Sequence, residues 1–121
     1  MTMRPGESLE EFSARFRAEH AGDPLGPVAT KVLIENDRVR IWELTLAPGE
    51  CSALHRHELD YMVILLEGDR IAGIPGPEST HTAKAAQVEP GKAIFMSRGG
   101  CEWAVNLGER PYRELLVELK D

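Results

Sequence analysis

Cysteine is scarce in this chain: Cys51 and Cys101 are the only two. Two thiols rule out a disulfide framework, and their separation is not a zinc-knuckle spacing. Each lies close to one of the motifs described below and reads either as a reactive thiol or as a small buried hydrophobe in a reducing compartment. Basic charge is also short. Fourteen Lys and Arg stand against twenty Asp and Glu, a net charge of −6, with no basic stripe. Nucleic acid and anionic membrane are thereby excluded as expected partners. No apolar run approaches the ~20 residues of a membrane span, and the residues around Arg4 lack the apolar core of a signal peptide. The expected location is cytoplasmic. Fixed-period repeats and low-complexity segments are absent as well.

What is present fits one domain. A chain of 121 residues can bury roughly two thirds of its unfolded surface in a single core. Ser8-Leu9-Glu10-Glu11 has the form of a capping box, and Leu9, Phe12 and Phe16 follow at helical spacing. Acidic residues come early and Arg15 and Arg17 late, as the helix dipole favours. The spacing predicts a short amphipathic helix over 9–19, whose apolar face must cover either the outside of a sheet or a partner subunit. Residues 21–27 hold two glycines and two prolines and read as a connector. Residues 1–30 are therefore expected to be helix and linker.

From residue 31 to 121 the pattern changes to short β-prone runs bounded by turn residues. The runs span 31–35, 38–47, 51–57, 61–67, 70–74, 81–88, 93–96, 102–107 and 113–119. Many short strands with Gly/Pro turns and no alternating helices predict an all-β, antiparallel sandwich or barrel.

The chemistry concentrates in residues 48–68. In extended chain, side chains alternate faces at about 3.3 Å per residue, so His55 and His57 point the same way and can converge on one ion. The same face carries Tyr61, Val63 and Leu65, which is how a barrel interior with a polar mouth would read. Gly49, five residues, His55-Arg56-His57, three residues, Tyr61, six residues and Gly68 form one motif. Gly91, Ser97-Arg98-Gly99, Glu102 and Asn106 form a second.

Two motifs in this order, separated by about twenty residues, resemble the paired conserved motifs of the cupin superfamily. The likeness extends over residues 31–119, and the segment from Glu35 to Glu43 is similar to a subgroup labelled as beta-alanine-degradation cupins. The resemblance implies a double-stranded β-helix, or jelly-roll barrel, behind a short N-terminal helix. It also implies a homodimer, with the helix as a candidate contact. Cupins typically ligate a divalent metal through the two histidines and the glutamate of the first motif and the histidine of the second. Here Tyr61 stands in the glutamate position and Glu102 in the second histidine position, which leaves His55, His57 and Glu102.

A 2-His-1-carboxylate set suits Fe, Zn, Mn or Ni. Glu102 is otherwise a solvated strand-end carboxylate. Tyr61 is the candidate catalytic residue, as a base or as a hydrogen-bond partner of substrate, with weak ligation as the alternative. Val63, Leu65, Met96 and Asn106 are expected to line the pocket, Asn106 as a hydrogen-bond anchor. Arg98 and Arg40 are either carboxylate-binding or solvated; His20 and His81 are expected to be solvated. The function expected is metal-dependent oxygenase, isomerase or lyase chemistry on a small organic acid or thiol. The alternative is a non-catalytic small-molecule-binding or accessory barrel with a weakened or absent metal site.

Overall fold

A computed structural model describes residues 1–121. Its one helix, α1 (Leu9–Glu19), begins at the capping box: the Glu11 amide donates to the Ser8 hydroxyl and the Ser8 amide to the Glu11 carboxylate. Nine strands follow: β1 (Lys31–Glu35), β2 (Val39–Leu46), β3 (His55–Arg56), β4 (Tyr61–Glu67), β5 (Arg70–Pro75), β6 (Lys84–Gln87), β7 (Ala93–Met96), β8 (Cys101–Asn106) and β9 (Tyr112–Leu119). They form two antiparallel sheets, five-stranded in the order β1-β2-β9-β4-β7 and four-stranded in the order β3-β8-β5-β6.

Period-two alternation divides each strand between two environments. On β9, Tyr112, Glu114, Leu116 and Glu118 are buried while the residues between them are half-buried. With Leu44 and Leu46 of β2 and Tyr61 and Leu65 of β4, Tyr112 and Leu116 form the cluster between the sheets. On β8 the split decides the rest of the fold. Trp103 and Val105 face outward with Ala72 and Ile74 of β5, making a second apolar face on the back of the small sheet.

Helix α1 covers that face. Phe12 and Phe16 are fully buried there, and Phe16 meets the Trp103 ring edge-on at 5.3 Å. Burying a phenylalanine side chain stabilises by about 1.5–3 kcal/mol, so the pair fixes the helix. The apolar face of the helix is thus taken by the chain's own sheet. Asp23 closes the helix end, accepting from His20 Nδ1 at 2.8 Å and from Trp103 Nε1 at 3.0 Å. His20, expected to be solvated, instead stacks on Phe16 at 4.1 Å.

Two strands are much shorter than the sequence predicts. Of the run 51–57, only His55 and Arg56 form a regular strand. Upstream, the Ala104 amide donates to the Ser52 hydroxyl at 2.9 Å, so a side chain occupies what would be a ladder position. The other is 81–88, which reduces to Lys84–Gln87; before it the chain turns, with the Ser79 amide on the Gly76 carbonyl and the His81 amide on the Ser79 hydroxyl.

Candidate metal centre

The two histidines are delivered by short pairings rather than by a long strand. His55 sits opposite Glu102 in the β3–β8 register. His57, past the end of β3, is pinned through its backbone: its amide donates to Gly100 and its carbonyl accepts from Gly99. The rings meet edge to face at 4.8 Å, and His57 lies flat on Tyr61 at 3.8 Å.

His55 is oriented by its own segment. Its Nδ1 lies 2.8 Å from the Ala53 carbonyl, so the proton belongs on that nitrogen and Nε2 carries the lone pair. Burial depresses its ionisation, the Ala53 carbonyl and Glu102 acting the other way, which keeps the ring neutral and able to ligate. Ser52 supports the arrangement from behind, donating to the Ala53 carbonyl at 3.0 Å.

His57 is only 2% exposed, and neither ring nitrogen makes a hydrogen bond within the chain. Nδ1 has no hydrogen-bond partner, and Nε2 faces Glu102 Oε1 across 3.6 Å, too long for a hydrogen bond. Buried polar atoms in folded proteins rarely go unpaired. His55, His57 and Glu102 each offer a ligand atom within 4.8 Å of the others, a spacing that one ion with bonds of about 2.0–2.2 Å can bridge. The donor set therefore fits a divalent metal ion.

Room for the carboxylate is made by Gly73 on the neighbouring strand. A β-carbon there would lie 2.5 Å from Glu102 Oε2. Only glycine leaves that cradle open.

The site opens into a cavity of about 840 Å³ between the sheets, walled by both aliphatic and polar side chains. That size is ordinary for a small-molecule pocket.

A search of solved structures finds this architecture repeatedly. A cupin domain from Bordetella pertussis Tohama I superposes with a TM-score of 0.68 at 22% identity, covering 83% of this chain and 100% of that one. The chain has the cupin fold. The polyketide cyclase RemF from Streptomyces resistomycificus gives a TM-score of 0.57 at 25% identity over 75% of this chain and 63% of its own. An oxalate oxidase in complex with the substrate analogue glycolate gives 0.53 at 21% identity over 65% of this chain and 40% of its own. Cupin-fold neighbours thus include enzymes. No family model and no curated protein matches the chain.

Within this cupin barrel, Tyr61, Val63, Leu65 and Met96 all line the cavity. Met96 is opposite Tyr61 in register and partly exposed, so it belongs to the rim. Asn106 does not line it. Its side chain has the inward parity expected, but at the closed end of β8 it donates to the Leu46 and Arg110 carbonyls and accepts from the Gly108 amide. It anchors the end of β2 and the loop before β9, and the cavity stops short of it.

Arg98 is at the rim but already paired, with Asp60 and with both oxygens of Asp121. Arg40 is paired with Glu35 and lies 3.6 Å from Glu118. His81 is exposed as expected, yet it borders the mouth of the cavity. Residues that sequence reasoning missed are Ser52, Gly73, Tyr112 and Glu114. The last two face the cavity from β9, where burial pushes the Glu114 carboxyl up to about 7, the Tyr112 hydroxyl opposing and the Glu102 carboxylate adding to the rise.

Proposed function

We propose that this cupin barrel holds one divalent metal ion through His55, His57 and Glu102 and acts on a small organic acid or thiol by oxygenase, isomerase or lyase chemistry. The observation that carries this reading is the convergence of His55, His57 and Glu102, whose ligand atoms lie within 4.8 Å of one another with His57 Nε2 3.6 Å from the Glu102 carboxylate. When bound, such an ion supplies Lewis acidity and open coordination positions.

The remaining tasks fall to the chain. Val63, Leu65 and Leu116 exclude water from the substrate body. In the metal-free fold Tyr61, 4% exposed, is held protonated: burial raises its ionisation, and the Glu102 and Glu114 carboxylates raise it further. A phenol in that state donates a hydrogen bond rather than abstracting a proton, which favours substrate orientation over general-base work.

Elemental analysis of untagged protein tests the reading. Stoichiometric iron, zinc, manganese or nickel in the wild type, lost in His57→Ala with the fold intact, is the expected result. Metal-free protein that also fails to take up added zinc would overturn it and leave a non-catalytic ligand-binding barrel.

We also propose that a second copy covers the outer face of the five-stranded sheet. Ile34, Ile41, Val117, Met62 and Phe95 stand in register across all five strands, with Ile34 57% and Phe95 58% exposed. An apolar row of that kind suits a two-fold contact. Light scattering that reports only monomer would refute it.

A further inference from the structure

The wall of the cavity holds a polar pair that the metal centre does not use. Glu114 on β9 lies opposite Leu44 of β2 and Leu65 of β4, whereas Tyr61, beside His57, lies opposite Glu118. Four residues of extended chain separate the two levels, about 13 Å along the strand. The Glu114 side chain is only 6% exposed and no cation reaches it. Tyr112 donates to its Oε1 at 2.5 Å, which leaves Oε2 to the cavity.

That pair is held rigidly. A β-carbon on Gly68 would lie 3.0 Å from Tyr112 Cδ1, and Gly68 also has φ +130, so the turn after β4 closes directly onto the phenol ring. Leu44 and Leu65 flank Glu114 in register, and the level between it and Tyr61 is apolar, formed by Val63 and Leu116. A polar group so placed, buried at the end of an apolar passage, is how a pocket fixes the orientation of a ligand.

We infer that Glu114, seated by Tyr112, is the distal anchor of the substrate and recognises a hydroxyl group carried on an apolar body whose acid or thiol end is at the histidines. This deepens the function proposed above and rests on it for the orientation of the substrate. A hydroxyl is the group that satisfies Oε2 in both of its protonation states, accepting from the neutral acid and donating to the carboxylate. A ketone serves only the first state and an ammonium only the second. A second carboxylate would meet the ionised Glu114 as a like charge.

The probes that test this are straight-chain alkanoates, their ω-hydroxy counterparts and the matching α,ω-dicarboxylates, in a series of increasing length. Each is titrated calorimetrically into the full chain with and without zinc. In the wild type, one chain length is expected to bind about tenfold more tightly as the ω-hydroxy acid than as the plain alkanoate, the increment of one buried hydrogen bond, with the diacid weakest. Glu114→Gln, which keeps a donor and an acceptor, should hold that ratio within about threefold and admit the diacid; Glu114→Leu should bring it to about one.

Equal binding of hydroxy and plain acids by the wild type, no binding of any ω-hydroxy acid, or an unchanged ratio in Glu114→Leu would each overturn the inference. If Glu114→Leu fails to fold, the wild-type ratio and Glu114→Gln decide. Failure of the metal reading looks different: zinc would leave every affinity unchanged while the hydroxyl preference persists.

Discussion

Replacing Glu114 by glutamine makes the cost of the buried carboxyl measurable as stability. In the fold its ionisation is pushed from 4.5 up to about 7, chiefly by burial. The folded chain therefore binds more protons than the unfolded one between those values. Stability from this group is fully present below about pH 4.5 and is lost as pH rises through about 7. At roughly 1.4 kcal/mol per pH unit, the ionised fold stands about 3 kcal/mol higher than a fold with a neutral group there. Glutamine is neutral throughout and still accepts from Tyr112. Urea denaturation of the metal-free chain and of Glu114→Gln at a series of pH values measures the difference. The two should be close near pH 5, and the variant should be more stable by about 2–3 kcal/mol at pH 8. His55, with its ionisation depressed by burial, gives stability that rises with pH in an overlapping window. That contribution is common to both proteins and cancels. Parallel pH profiles for wild type and variant would refute the reasoning.

Three further outcomes follow from the packing. Gly73→Ala should lower cobalt affinity about 10–100-fold, because the new β-carbon displaces the Glu102 carboxylate; a spectroscopic cobalt titration checks it, with an unchanged circular dichroism spectrum as control. Phe16→Ala should cost about 3–5 kcal/mol in chemical denaturation, since it empties a fully buried site against Trp103. Ser8→Ala should cost about 1 kcal/mol in the same assay through loss of the reciprocal cap with Glu11.

Legibility in the sequence followed the range of the interactions. The helix was readable to its ends because Ser8, Glu11 and the Phe12–Phe16 spacing act within a few residues of one another. Strands such as Lys31–Glu35, Tyr61–Glu67 and Ala93–Met96 were readable because turn residues bound them. Residues 51–54 misled, since they keep one bridge and one backbone bond to β8 but hand the Ala104 amide to the Ser52 hydroxyl, which breaks the regular ladder. Only β8, by folding back opposite β3, brings Glu102 to the histidines, and the fixed order of two motifs carried that information. Glu114 stayed hidden for a different reason. Leu115, Leu116 and Val117 are apolar on both parities, so nothing local tells which face of β9 is inward. The Gly73 cradle is invisible for the same cause: it exists only once β5 lies against β8.

Crystals of the protein soaked in cobalt(II) and measured on both sides of the cobalt absorption edge test the three-residue centre most directly. The expected map has one strong anomalous peak, about 2.0–2.2 Å from His55 Nε2, from a ring nitrogen of His57 and from a Glu102 oxygen. Cobalt bound only at surface carboxylates, with His57 still unsatisfied beside an empty gap, would contradict it.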